Sequence, residues 1–295
     1  MKEYSMNQEF SFVLHIGIPH MNYLVEQALE RGELIKTISP LSQACLYFWS
    51  PNHGLSDVGD KWKPDNNIDY YWGATHTSLG DGDGQYYNGK TKLENVSFPD
   101  FKNHFKQRAN DENISFDRPL VVINNKYSEE HGNSPVNLIN NDCISKIYNK
   151  FKDTHTIIYF RPESSTKEYV HDDNKLMDWN DKHLIKENHH EMIVDTDLFV
   201  QYPHLNYNEL QCMMHSLSDI HFSTPGGNAI IASYFGGVNI IIGSMSSEQE
   251  GYWGNRSIWK TDSNLKDISG SKIVGMGVDT FLQCTESEWE SWFEH

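Results

Sequence analysis

Positive charge is scarce in this chain. Against 41 Asp and Glu stand 24 Lys and Arg, a formal net charge of −17 over 295 residues. Such a balance argues against nucleic acid or an anionic membrane surface as partner, because the long-range field repels both. It still permits a nucleotide, since a few local donors outweigh a distant field that salt screens over roughly 8 Å. Cysteine is scarce too: Cys45, Cys143, Cys212 and Cys284 lie far apart, without CxxC or zinc-ligand spacing. They read as reduced thiols, and a cytoplasmic protein is expected. Long apolar runs are missing. The longest, near Val121 and Ile240, are strand-sized and far short of the ~20 residues of a membrane span. The opening MKEYSMNQEF has no apolar signal core. GxGxxG and the Walker A lysine are both absent, which removes the main support for dinucleotide and P-loop readings.

What is present is a folded, aromatic-rich chain, 38% apolar and 13% aromatic, with eight Trp and fifteen Tyr. Its length predicts two domains. Aromatic side chains serve mostly as core, but their apolar faces and polar edges also suit sugar stacking. In the first domain, residues 10–16 read as a strand, 22–30 as a helix closed by Gly32, 44–49 as a second strand and 98–108 as a helix. The polar, glycine-rich stretch 50–89 has no helical period and reads as functional loops. Residues 109–118 read as the linker.

The second domain alternates strand and helix. Strands are expected at 120–124, 156–160, 192–194, 198–200, 220–222, 238–242 and 273–274, with helices at 142–151, 207–216, 229–235 and 286–293. That alternation predicts an α/β fold with a parallel sheet covered by helices and ligands at the strands' carboxyl ends. The most informative segment is DIHFSTPGGNAIIASYFGGVNIIIGS, 219–244. It reads as strand, Pro225-Gly226-Gly227 turn, a helix capped by Asn228, a Gly236-Gly237 turn and a buried strand. Glycines at a helix start let backbone N–H groups approach an anion in the field of the helix dipole. An ordinary crossover with glycines as turn formers is the competing reading.

Three expected strand ends present polar groups in register: Asn124-Asn125-Lys126-Tyr127, Arg161-Pro162, and Ser223-Thr224 leading into Gly226, Gly227 and Asn228. They are expected to converge on one crevice. There Lys126 and Arg161 would neutralise a diphosphate, Arg161 with its fork geometry, and Tyr127 would stack on a base. Tyr207, at a helix start, is a further candidate for base or ribose contact. In the first domain His20 follows Gly17-Ile18-Pro19 and is a candidate general base, its ordinary pKa being near ~6.5. A helix cap or a buried structural imidazole is the alternative. Leu79-Gly80-Asp81-Gly82-Asp83-Gly84 offers a second base, Asp81, with Asp83 and Asp57 as acceptor contacts. The same loop admits a hard-metal reading or plain turn chemistry, although no alignment restores an EF-hand. His189-His190-Glu191 reads as surface.

LVVINNKY, TIIYFRP, the 205–211 helix start and FSTPGGNAIIASYFGG followed by NIII resemble a family of glycosyltransferases from large DNA viruses of algae, which includes a chlorovirus xylosyltransferase. HIGIPH and LGDGDGQYYNGKTK fit the same family. The resemblance implies a GT-B architecture: an acceptor-binding Rossmann-like domain over 1–117, a nucleotide-sugar domain over 118–284 and a closing helix over 285–295. It implies transfer of a sugar, xylose first among them, from a UDP-sugar to a glycan acceptor in the cytoplasm (the host's, for a viral protein). No metal cofactor is expected, because basic residues and a helix start would stabilise the leaving diphosphate. Retaining enzymes of this architecture often carry paired glutamates near the donor helix; the 228–235 segment has none, so inversion is expected. A metal-dependent GT-A enzyme using Asp81 and Asp83, and a non-catalytic carbohydrate- or nucleotide-binding module, are the rival expectations.

Overall fold

The computed structural model describes residues 2–5, 10, 13–55, 97–129, 135, 137–164, 166, 175–243 and 270–293. The amino-terminal part carries a parallel three-stranded sheet, Lys2–Ser5 (β1), Ile35–Ser39 (β2) and His53–Leu55 (β3), in the order β1-β2-β3. The described residues of the strand expected over 10–16 are not extended. Val13–Gly17 forms a π-turn that runs straight into Ile18–Glu30 (α1). Val13, Leu14, Gly17 and Ile18 are all buried, a helical spacing that overrides the partial alternation set by Ser11 and His15. Gly32, at φ +69°, closes α1 as expected, its N–H and that of Glu33 bonding the Leu29 and Ala28 carbonyls. The strand expected over 44–49 is likewise absent. Leu41–Tyr47 is a 3-10 turn in which Ser42, Gln43, Leu46 and Tyr47 are buried, a helical spacing rather than an alternating one.

Phe101–Asp111 (α2) starts at Asp100, whose carboxylate accepts from Asn103 N at 3.1 Å. There follow Leu120–Asn124 (β4), Ser128–Glu129 (β5), Asn141–Phe151 (α3), Thr156–Phe160 (β6), Lys175–Leu176 (β7), Asp181–Asn188 (α4), Ile193–Val194 (β8) and Asp195–Gln201 (α5). Tyr207–Ser216 (α6), Ser218–Ser223 (β9), Gly227–Ser233 (α7), Val238–Gly243 (β10), Lys272–Gly277 (β11), Val278–Gln283 (α8) and Glu286–Phe293 (α9) complete the chain. The strand expected at 198–200 belongs to α5: Leu198 is buried while Val200 is 83% exposed, which suits one face of a helix.

Six strands form one parallel sheet in the order β11-β10-β9-β4-β6-β8. The chain starts in the middle at β4, builds outward to β8, returns to β9 beside β4, and builds outward the other way. This is the doubly wound Rossmann order, with its switch point between β4 and β9. Period-two alternation divides β4 between two cores. Leu120 and Val122 face a cluster with Phe105, Leu210, Ile231 and Phe235; Val121 and Ile123 face Ile144, Ile147, Phe281 and Trp289. Phe10, Val13, Leu14 and Ile18 belong to the first cluster, so the amino-terminal segment shares that core. The helix expected at 286–293 is present and buries Trp289 against Phe281 and Phe222.

Candidate functional site

At the switch point of a doubly wound sheet, successive loops leave in opposite directions and open a crevice at the carboxyl edge. The loops after β4, β6 and β9, the three picked out in the sequence, do meet there. Thr224 N donates to Asn124 O at 3.1 Å, and Asn125 N donates to Phe160 O at 2.8 Å. Asn228 ties the crossing together, donating to Asn125 O at 3.2 Å, Asn124 O at 3.4 Å and Thr224 Oγ1 at 3.1 Å. The expected Asn228 cap is corrected: Gly226 caps α7, and Asn228 lies in the first turn with its amide turned into the loops.

The two glycines have different reasons. Gly226 sits at φ +104°, a conformation side chains rarely adopt, and a Cβ there would lie 3.5 Å from Lys126 Nζ. Lys126 and Gly226 therefore meet across the switch point. Gly227 is needed because a Cβ would come within 2.7 Å of the Phe10 ring. Its close neighbour is thus an amino-terminal side chain. Asn125 is a brace: its amide donates to Ile139 O and Tyr159 OH, both at 2.8 Å, and accepts from Lys126 N and Ile139 N. Tyr127 stacks on Trp179, with centroids 5.2 Å apart and planes 24° from parallel.

Arg161 requires a correction. Its guanidinium is fully buried and binds Asp181 through both carboxylate oxygens, Nε and Nη2 each at 2.6 Å, with Nη2 also donating to Trp179 O at 3.0 Å. The fork is there, but its carboxylate is internal, and no side remains for a diphosphate. Burial opposes the charged form; the bonds and charge of Asp181 outweigh it and hold the pKa above the ordinary arginine value. Tyr159 donates its hydroxyl to the same carboxylate, and burial followed by the Asp181 charge pushes that phenol well up, so it keeps its proton. Tyr207 is 2% exposed and packs edge-on against Phe160, which makes it a wall residue rather than an exposed platform.

His20 lies in the first turn of α1. The rigid placement expected for it after a strand is therefore lost, and its side chain lies outside the described part. Asp57, Asp81 and Asp83 also lie outside the described residues. Among the described residues no three His, Cys, Asp or Glu side chains gather as a metal-ligand set.

Sequence reasoning missed a second feature. Beyond β6 and β8 lies a cavity of about 330 Å³, lined by Glu163, Lys182, Asp195, Thr196, Phe199 and Tyr207 among others. Lys182 pairs with Asp195 at 2.7 Å and with Glu163 at 3.3 Å, and Arg161 reaches Glu163 at 3.1 Å. Burial raises the Asp195 carboxyl pKa, against the pull of Lys182. The strand-end rule already in hand would have found Asp195, the first residue after β8. Asp181 carries no such signal, lying twenty positions beyond the arginine it neutralises.

Fold and crevice define an α/β protein with a doubly wound parallel sheet and a polar site at its switch point. No family model matches the chain, and no curated protein matches it. Among solved structures it is similar to the ADP-heptose LPS heptosyltransferase II of E. coli, at 9% identity over 84% of this chain and 86% of that chain, with a TM-score of 0.47.

Proposed function

We propose that this chain is a GT-B glycosyltransferase that moves a sugar from a nucleotide sugar to a carbohydrate acceptor. The supporting observation is the meeting of Lys126 with the Gly226 turn at the β4–β9 switch point. In such a transfer an acceptor hydroxyl attacks the anomeric carbon, the bond to the diphosphate breaks and a base takes the hydroxyl proton. The protein must neutralise the departing diphosphate and supply that base. Lys126 supplies charge, the Gly226–Asn228 turn supplies N–H groups, and Asn125, Thr224 and Asn228 hold the two loops together. Inversion without a metal is the mechanism this reading carries.

In this reading residues 118–284 bind the donor, 1–117 bind the acceptor with Asp57 and Asp83 contacting it, and 285–295 close the fold. UDP-xylose is the first donor to try, following the viral resemblance, and the host cytoplasm is the corresponding location. No described helix is long and apolar enough to cross a membrane. The base is His20 or Asp81.

Incubation with UDP-xylose and then other UDP-, ADP- and GDP-sugars, with glycan acceptors and EDTA, tests the proposal. Acceptor-dependent release of nucleoside diphosphate, unchanged by chelator, is expected. Loss of turnover in EDTA with rescue by Mg²⁺ or Mn²⁺ favours the metal-dependent rival, and binding without transfer from any donor favours the binding module. His20→Ala and Asp81→Asn, assayed side by side, assign the base: the true one lowers kcat by roughly 10²–10⁴ and spares donor affinity.

A further inference from the structure

A relay of buried side chains joins the amino-terminal 3-10 turn to the sheet, and its hydrogen bonds run in one direction only. At one end stands Ser42 O, a backbone carbonyl that can only accept. Asn208 Nδ2 donates to it at 2.7 Å, which leaves Asn208 Oδ1 to accept from Gln211 Nε2, also at 2.7 Å. Gln211 then presents Oε1. Asn124 Nδ2 donates to that oxygen at 3.0 Å and to His215 Nε2 at 3.3 Å. His215 therefore carries its hydrogen on Nδ1 and gives it to His221 Nδ1 at 3.1 Å. The two bare imidazole nitrogens, His215 Nε2 and His221 Nδ1, both lie inside the relay. A proton on His215 Nε2 sets N–H against the Asn124 amide N–H. A proton on His221 Nδ1 forces the His215 hydrogen over to Nε2, which is the same conflict. Rotating the Asn124 amide relieves it. The rotation also gives a donor to Asn124 Oδ1, which is buried and has no partner among the described residues. The rotated amide, however, turns its oxygen on Gln211 Oε1. Gln211 and Asn208 must then rotate too, and the last oxygen meets Ser42 O. The bond to the amino-terminal turn is the one that breaks.

We infer that the relay is an acid-sensitive latch: one proton taken up by the His215–His221 pair reverses it and releases Leu41–Tyr47 from α6. The charges that face the pair come from three elements. Lys102 on α2 pairs with Asp219 on β9 at 2.8 Å, and Lys106 on α2 also acts on Asp219. Glu209, earlier on α6, pairs with Arg108 on α2 at 2.7 Å. On the 3-10 turn, burial pushes the Cys45 thiol and the Tyr47 phenol up, so both keep their protons. β4, α7 and β10 contribute no titratable group. Burial holds both imidazoles below the usual histidine range, so the latch is closed at neutral pH and acid opens it. His53 stacks on Tyr47 and His104 on Phe48, beside the same turn, and both titrate in acid as well. A test must separate their protonation from that of the relay.

Amide hydrogen exchange of the full chain at pH 7 and 4.5, corrected for the intrinsic pH dependence of exchange, tests this. In the wild type, protection over 41–47 should fall about tenfold or more at pH 4.5. Val238–Gly243, in the large sheet but outside the relay, should keep its protection. His215→Gln combined with His221→Phe retains an acceptor for Asn124 and removes both titrating rings. Protection over 41–47 should then be equal at the two pH values, although His53 and His104 are still present. Asn208→Leu cuts the relay beside Ser42 and should leave 41–47 weakly protected at both pH values. It carries the test if the double variant unfolds. Three outcomes overturn the inference in the wild type or the double variant: no loss over 41–47 in acid, loss over 41–47 and 238–243 together, or the wild-type loss persisting without the two rings. In Asn208→Leu, wild-type protection at pH 7 or a further fall in acid overturns it equally.

Discussion

Under the ends of β6 and β8 the polar groups are ionised and matched to one another; under β4 and β9 they are amides and imidazoles joined in one relay. In the first region Asp181, Arg161, Glu163, Lys182 and Asp195 alternate in sign. In the second, Asn208 donates to Ser42 O at 2.7 Å, Gln211 to Asn208 at 2.7 Å, and Asn124 to Gln211 at 3.0 Å and to His215 Nε2 at 3.3 Å. His215 Nε2 is thus an acceptor, so His215 carries its proton on Nδ1 and donates to His221 Nδ1 at 3.1 Å. Every member is neutral. Burial, then the neighbouring imidazole, pushes His215 well below the usual histidine range, and burial with Lys102 brings His221 down to about 4. The contrast separates two ways of satisfying buried polarity. A charged network depends on every partner being present, and a neutral one depends on no member gaining a proton.

Removing a partner breaks the first network. Asp181→Ala leaves a buried guanidinium without its carboxylate and should cost about 3–5 kcal/mol, read as a lower denaturant midpoint. Arg161→Met combined with Asp181→Leu should recover most of that loss, since an apolar pair of similar volume has no charge to desolvate. If Asp181→Ala unfolds like wild type, Glu163 alone suffices as the counter-charge of Arg161.

Acid breaks the second network. Both folded imidazoles sit below the unfolded value near ~6.5, so the unfolded chain binds more protons once the pH drops under that value. Stability is therefore complete above pH ~6.5, falls as the pH drops through the window down to about 4, and changes no further from His221 below that. A shift of this size at one buried group corresponds to about 3 kcal/mol. Half-buried His53, also lowered to about 4 by burial, acts in the same sense. Asp195 acts in the opposite sense, because its raised carboxyl takes a proton first in the folded state. Denaturant midpoints at pH 7, 5.5 and 4.5 should fall steadily in the wild type. In His221→Phe the fall should be shallower, whatever that variant's stability at pH 7. An equal slope in both would show that His221 is already charged in the folded protein.

These two networks also show how far the sequence reading could reach. Strands such as 120–124, 156–160 and 238–242 were legible because burial on both sides demands a mostly apolar run, interrupted within these three only by Asn239. The turns after β4 and β9 were legible for the same kind of reason: glycine, asparagine and proline have restricted uses there. Run 44–49 was not, because an apolar stretch without period suits either a strand or a tight helical turn, and at 10–16 tertiary packing of Val13, Leu14 and Ile18 overrode the partial alternation set by Ser11 and His15. Arg161 was misread for a different reason. A cation after a strand faces a ligand only if no carboxylate reaches it first, and Asp181 arrives on α4, an element the sequence reading did not foresee. Lys126 follows the neighbouring strand, stays half-buried and lies beside a glycine turn. Local sequence is alike at the two positions; the burial that the fold imposes on each cation is not.

The comparison between Arg161 and Lys126 can therefore be sharpened at Lys126, where the smallest effect on stability is expected. Lys126 is half-buried at the rim of the switch point, with its ammonium close to the Gly226 turn. Lys126→Ala should shift stability by about 1 kcal/mol or less, because losing a partly exposed cation leaves no buried charge uncompensated. Its effect belongs to binding. Loss of a charge-assisted contact to a diphosphate is worth about 1.5–3 kcal/mol, roughly a ten- to hundredfold weaker dissociation constant. The loss should shrink at high salt, since a rim charge is screened where a buried one is not. Uridine, which carries no phosphate, should bind Lys126→Ala and wild type equally. A variant that loses several kcal/mol of stability with unchanged nucleoside diphosphate affinity would place Lys126 with Arg161 as a structural cation, and the switch point would then lack the charge that the proposed reaction requires.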